Sequence, residues 1–185
     1  KNKEAFNSSP NHLMREKPNA LKIINKAKSL FSKIGKTIIP EDVKTVISPF
    51  EYSEDVLKDF YVTYDLQLIN KEFQAWLKRS DFSEGEKAYQ YIDENGDAFQ
   101  TVSMAWPNKE TPNSDYFIPL IHPINGEKCP VPDKGWRYPS TTFSNMLGTN
   151  EPVELLPNMV VKGQIVFTTG RKGNNQPRNK YLLKE

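Results

Sequence analysis

The chain has 185 residues, 37% of them hydrophobic and 11% aromatic, which suits a globular domain with a real core and excludes a disordered one. No apolar run approaches the roughly 20 residues of a membrane-spanning helix and no signal peptide is visible; the single cysteine, Cys129, excludes an internal disulfide and suits a reducing, cytoplasmic setting. The formal net charge of +2 hides a segregation: residues 1–40 hold 9 basic and 2 acidic side chains, residues 41–125 hold 7 and 16, and residues 126–185 hold 9 and 5. A chain that met a polyanion with its whole surface would not carry that acidic middle, whereas one that used the two ends of its sequence could.

Residues 1–17 read as irregular and solvated. Pro18-Asn19 opens a helix in which Leu21, Ile24, Ala27, Phe31 and Ile34 recur at helical spacing, with Gly35 as its stop. That stripe is expected to face a core or a second subunit rather than a DNA groove. Gly35-Lys36-Thr37 mimics the end of a phosphate loop, but Leu30 and Phe31 stand where its first glycine is required, so nucleotide binding is rejected. Pro40 to Ser48 reads as a helical turn and a strand, Ser53 to Asp59 as a capped helix, and Phe60 to Tyr64 as a strand. Leu66 to Lys78 is expected to be helical, with Leu66, Ile69, Phe73, Trp76 and Leu77 on one stripe.

Lys87 to Ile92 and Ala98 to Met104 are expected strands around the turn Asp93-Glu94-Asn95-Gly96-Asp97, with Tyr89 and Tyr91 on one face of the first. Residues 106–115 form a polar loop. The apolar run Phe117 to Ile121 is strand-like and enters a turn at Asn125-Gly126, followed by a Pro-rich extended stretch. A short helix is expected from Pro139-Ser140 through Leu147, ended by Gly148. Val160 to Thr168 reads as one strand interrupted by Gly163, residues 169–179 as a loop, and Tyr181 to Leu183 as a last strand. Helices and strands in separate runs make the class α+β, with mixed antiparallel hairpins and several short helices.

Two constellations carry chemistry. The loop at 170–180 contains Arg171, Lys172, Asn174, Asn175, Gln176, Arg178 and Lys180. Arginine and lysine take guanine at two points, and asparagine and glutamine take adenine at two points, while glycines 170 and 173 allow close backbone approach to a groove. The plain alternative is a solvated hairpin loop. The second constellation is Lys134, Trp136, Arg137 and Tyr138, two rings and a guanidinium beside a glycine, suited to stacking and fork-shaped hydrogen bonding. Trp136 is expected in the core, a tryptophan being usually largely buried. Lys134 and Arg137 are candidates for phosphate or base contact, with a structural pair for Arg137 as the alternative. His122 and Cys129 are too few to close a zinc site, and no carboxylate pair sits at a catalytic spacing from a histidine, so the expected catalytic and metal sites are none.

Three pieces of the chain occur in a meaningful order. His122-Pro123, Gly126-Glu127-Lys128-Cys129-Pro130-Val131-Pro132 and Lys134-Gly135-Trp136-Arg137 are followed by a short helix and a strand, then by Gln176-Pro177-Arg178-Asn179-Lys180-Tyr181-Leu182-Leu183-Lys184-Glu185. Glu86 to Phe99 and Ala105-Trp106-Pro107 precede them, and Lys1-Asn2-Lys3-Glu4-Ala5-Phe6 opens the chain. This pattern resembles the Mod subunits of type III restriction–modification systems, site-specific DNA adenine-N6 methyltransferases; the likeness is good over 86–185 and diffuse over 1–85. The Asp-Pro-Pro-Tyr catalytic motif and the Phe-x-Gly-x-Gly cofactor motif of that family are absent, and the residues here match what lies between them.

The resemblance therefore implies an excised target-recognition domain. Residues 1–40 would be a basic helical segment following the methyltransferase core, and residues 41–185 the recognition domain. Its partner would be double-stranded DNA, with a second Mod chain and a restriction subunit as further partners and no membrane. The fragment itself would be inactive and hold no cofactor, S-adenosylmethionine belonging to the parent enzyme. The rival reading is a docking module for the restriction subunit or a Mod dimer, supported by the acidic middle and the apolar helix stripe. A small enzyme of another type is disfavoured because no nucleophile–base spacing occurs.

Overall fold

The computed structural model describes residues 18–37, 62–170 and 175–184. The expectations for Pro40 to Ser48, for Ser53 to Asp59 and for the start of the strand at Phe60 lie outside them. Helix α1, Ala20–Ile34, forms where the apolar spacing places it. Its buried line is Ala20, Ile23 and Ala27; Leu21, expected in the stripe, is 53% exposed, because the packed face lies one position over. Beyond α1, β1 (Gly35–Thr37) pairs antiparallel with β2 (Val62–Tyr64). The Asp65 carboxylate then caps helix α2, Leu66–Arg79, accepting from the Leu68 amide at 3.0 Å.

Helices α1 and α2 close on one core with Ile69, Phe73, Leu77, Tyr89, Ile92, Ala98 and Leu183, so the α1 stripe is a core face. Asn70 is fully buried in it and hydrogen-bonds both ways with the Ile92 backbone, donating at 2.9 Å and accepting at 2.8 Å, as a neighbouring strand would. At the turn after Ile92, Gly96 has φ +78° and a Cβ there would press on the Phe31 ring of α1. Lys28 of α1 clamps the same turn, 2.6 Å from Asp97 and 3.1 Å from the Asn95 carbonyl.

Residues 87–90, expected as strand, are taken instead by the short helix α3, Glu84–Lys87, and its exit. The reason is the capping box Ser83–Glu86, which nucleates a helical turn there. Strand β3 is only Tyr91–Ile92, so Tyr89 and Tyr91 do not share a strand face: Tyr89 enters the helical core and Tyr91 packs on Phe99, rings 5.4 Å apart.

Glu86 does more than cap its own turn. Its carboxylate accepts from the Ser83 hydroxyl (2.7 Å) and amide (2.9 Å), and from the backbone and side-chain nitrogens of Asn19 (both 3.1 Å), tying α3 to the start of α1. The Ser83 hydrogen bonds, with those of Asn19, overcome burial and lower its pKa from the ordinary 4.5 to about 2. A carboxyl held low stabilises the fold above its unfolded value and loses that contribution as pH falls from 4.5 toward 2. Glu86→Gln is expected to reduce stability at neutral pH and to flatten the acid limb in that window. Denaturant unfolding across the acid range checks this; an acid limb matching wild type would remove Glu86 as the tie.

The remaining strands, β4 (Ala98–Ser103), β5 (Val153–Leu156), β6 (Met159–Lys162), β7 (Ile165–Thr168) and β8 (Arg178–Leu182), join β3 in a six-stranded antiparallel sheet of order β3-β4-β8-β7-β6-β5. Together with the helices this is an α+β fold. Val160 to Thr168 is thus not one strand but a hairpin, β6–β7, turning at Gly163. Gly163 has φ +58°, and a Cβ there would collide with the Met146 and Leu147 carbonyls, so only glycine closes this turn. Strand β8 begins at Arg178, inside the stretch expected as loop, because it pairs on both sides.

Side chains alternate across the sheet. On one face Phe99, Leu155, Met159, Val161 and Val166 pack with Leu66 at the start of α2. The other face carries Ile165 and Phe167, covered by a layer built from residues 104–147. In that layer Phe117 ends a 3-10 turn, Ser114–Phe117, instead of starting a strand; the Asn113 side chain caps it, accepting from the Asp115 amide. The pairing begins later, where Leu120 and His122 meet Cys129 and Glu127 through backbone bonds of 2.8 Å around the expected Asn125-Gly126 turn. Helix α4, Ser140–Leu147, follows as the sequence indicates and ends at Gly148. Among the described residues no helix is long and apolar enough to cross a membrane.

Candidate nucleic-acid interface

Strand β8 organises the candidate site. Its residues pair with β4 in the register Ser103↔Arg178, Val102↔Asn179 and Thr101↔Lys180, and with β7 at Val166↔Arg178. Alternation therefore sends Arg178 and Lys180 to the face of Val166 and Phe99, and Asn179 to the face of the covering layer.

Arg178 is exposed. Its Nε donates to the Thr101 hydroxyl at 3.0 Å and one terminal nitrogen to the Thr101 carbonyl at 3.2 Å. These bonds use two of the five guanidinium donors and fix the plane of the fork. The guanidinium lines a groove of about 420 Å³ on the sheet face. Thr101, Ser103, Thr168, Gln90 and Gln176 supply its polar walls, and Tyr91, Met159, Val166 and Pro177 its apolar ones. Thr168 and Gln176 both line it, so the chain leaves the sheet and returns to it at this groove. Arg171, Lys172 and Asn174 of that connection lie outside the described residues. Asn175 and Gln176 are half-buried, Gln176 in the groove wall.

Lys180 has a different task. Its ammonium lies 2.7 Å from an Asp93 oxygen, with side-chain exposures of 10% and 1%, and 5.3 Å from the Phe99 ring centre. The second Asp93 oxygen accepts from the Asn95 and Asp97 amides, both at 2.9 Å. The pair locks the hairpin turn to the sheet and does not offer its charge to the groove.

Lys134 and Arg137 sit in the covering layer, on the opposite side of the sheet from Arg178. Lys134 is exposed in the turn before Gly135. Arg137 is half-buried; its amide donates to the Met104 carbonyl at 2.6 Å, and its Nε is buried without a hydrogen-bond partner among the described residues. Between them Trp136 is fully buried, as the sequence indicates. The Tyr138 hydroxyl accepts from the Asn179 amide at 3.1 Å, and burial, with Tyr181 beside it, holds the phenol above its ordinary pKa. The two sequence constellations thus meet β8 from opposite faces and do not form one surface.

His122 and Cys129 are both buried in the covering layer. Burial, with Glu127 adding to it, pushes the thiol up to about 11, so it is protonated at neutral pH and no nucleophile. Burial also holds the imidazole below its ordinary value, against the opposite pull of Glu127. Among the described residues no group of three His, Cys, Asp or Glu side chains could hold a metal ion.

Sequence reasoning missed the walls that Gln90, Thr101 and Ser103 give to the groove. A usable signal existed in the alternation of Ala98 to Met104, which puts Thr101 and Ser103 on one strand face; the pairing that sets Arg178 beside them is not local in sequence. The chain matches no family model, no curated protein and no solved structure.

Proposed function

We propose that this chain is the sequence-specific DNA-recognition domain of a type III-like Mod adenine-N6 methyltransferase. The observation that carries the reading is the groove at the root of the 169–177 connection, with Arg178 held in a fixed fork by Thr101. A pinned guanidinium loses little freedom on taking a guanine edge or a phosphate, and the amide side chains of the same segment are of the type that takes adenine. The likeness of residues 86–185 to the Mod pattern supports the same reading. In it the chain grips phosphates and reads base edges, while the catalytic core of the parent flips the target adenine and methylates it from S-adenosylmethionine.

Arg178→Ala is expected to weaken binding to duplex DNA while melting as wild type does, because the side chain is exposed and, among the described residues, its hydrogen bonds go to Thr101 alone. Arg178→Lys keeps the charge but loses the fork, so discrimination between cognate and altered sites should fall by about 1–3 kcal/mol at one base pair. Fluorescence anisotropy at rising salt reads both. Wild-type protein that shows no salt-dependent binding at low ionic strength would overturn the proposal.

A second reading, a docking module for a restriction subunit or a second Mod chain, draws on Ile118, Ile121 and Ile124, which are 48%, 50% and 64% exposed in the covering layer. It expects complex formation with such a chain and no salt-dependent DNA binding.

A further inference from the structure

The groove beside Arg178 does not end at Gln90. Gln90 also lines a second depression of about 520 Å³, bordered by Gln74 and Lys78 of α2 and by Glu84 and Lys87 of α3. Gln90 is the residue common to the two hollows. Their charged lining residues are Arg178, Lys78, Lys87 and Glu84, three cations and one anion. The anion does little to cancel them: Glu84 is 95% exposed and its oxygen lies 4.0 Å from the Lys87 ammonium, a loose surface pair. Lys78 and Lys87 come from residues 41–125, which hold 7 basic and 16 acidic side chains, and the fold sets them beside Arg178 from the basic end of the chain.

We propose that the second hollow is a phosphate-binding extension of the DNA interface, in which the backbone of the duplex runs from Arg178 across Gln90 to Lys78 and Lys87. The inference rests on the DNA-recognition reading and adds contacts that neither basic end of the sequence supplies. Gln74 and Gln90 offer amide donors between the cations, and lysine ammonium groups take phosphate as point charges. Such contacts fix register and add affinity without reading bases. They also give the chain a way to hold DNA across an otherwise acidic stretch.

The test is the salt dependence of binding to a mixed-sequence duplex of about two helical turns. Taking away one phosphate-neutralising cation should lower the slope of log affinity against log salt by about 0.9. Lys78→Ala with Lys87→Ala, the first exposed and the second half-buried on its helix, should therefore reduce the slope by nearly twice that and weaken binding most at low salt. Lys78→Gln with Lys87→Gln, which keeps side-chain bulk, should do the same. Lys109→Ala with Lys128→Ala removes two exposed lysines from the covering layer and should leave the slope unchanged. If wild type binds and the Lys78/Lys87 variants keep its slope, the extension is overturned while the DNA-recognition reading stands. If the Lys109/Lys128 variant loses as much slope, general charge explains the effect and the extension is again overturned. If wild type does not bind at low salt, both readings fall.

Discussion

Trp136→Ala is expected to unfold the domain or to lower its stability by about 3–5 kcal/mol. The ring is 0% exposed, stands edge-on to Phe143 at 5.9 Å, and its Nε1 donates to the Ile118 carbonyl at 2.9 Å. The Trp136 backbone pairs with Ala105 and donates to the Tyr116 carbonyl, so one residue fastens the start, the 3-10 turn and the Pro-rich stretch of the covering layer together. Removing the indole leaves a cavity among Met104, Phe143 and Phe167 and orphans the Ile118 carbonyl. Thermal or denaturant melts of the variant measure the loss. A variant that melts as wild type does but no longer binds DNA would make the ring a stacking contact and place the DNA surface on the covering layer. Trp136→Phe separates the two further, since it keeps most of the buried area and should recover much of the stability.

The contrast between Trp136 and its neighbours shows how far the sequence is legible. Local signals read well: the stripes of α1 and α2, the Asp93 to Asp97 turn, α4 with Gly148, and the burial of Trp136 itself. Each depends on spacing or on a turn residue acting within a few positions. The misses fall where a short-range device displaces the expected element. Ser83 and Glu86 form a short helix whose end and exit take the first half of an expected strand, the 3-10 turn at Ser114–Phe117 takes the start of another, and Gly163 folds an apparent single strand into a hairpin. The candidate site is legible in composition and illegible in placement. Gln176 and Arg178 do line one groove, yet Arg137 lies beyond the sheet and Lys180 inside it. The β4–β8 register, which joins residues 99–103 to 178–182, builds the groove wall around Arg178, while Asp93 takes the Lys180 ammonium and the Met104 carbonyl holds Arg137 in the covering layer. Periodicity within either segment gives the alternation but not the partner.

Lys180→Met is the substitution that separates a structural cation from a reading one. The variant leaves Asp93, 1% exposed, without its counter-charge, and breaking such a pair from one side costs about 3–5 kcal/mol. It should therefore lose DNA binding by unfolding, with loss of helical circular dichroism in parallel. The cost lies in the stranded charge, so removing that charge should reverse it. Asp93→Asn keeps a carbonyl oxygen for the Asn95 and Asp97 amides that the carboxylate now receives at 2.9 Å. Lys180→Met with Asp93→Asn is thus expected to recover most of the stability and, with it, DNA binding close to wild type, because the Lys180 ammonium does not reach the groove. Melting and anisotropy on the single and double variants together form the test. A double variant that is folded but still does not bind would show that the Lys180 charge acts on DNA, and the ion pair with Asp93 would then be the state it leaves when DNA arrives.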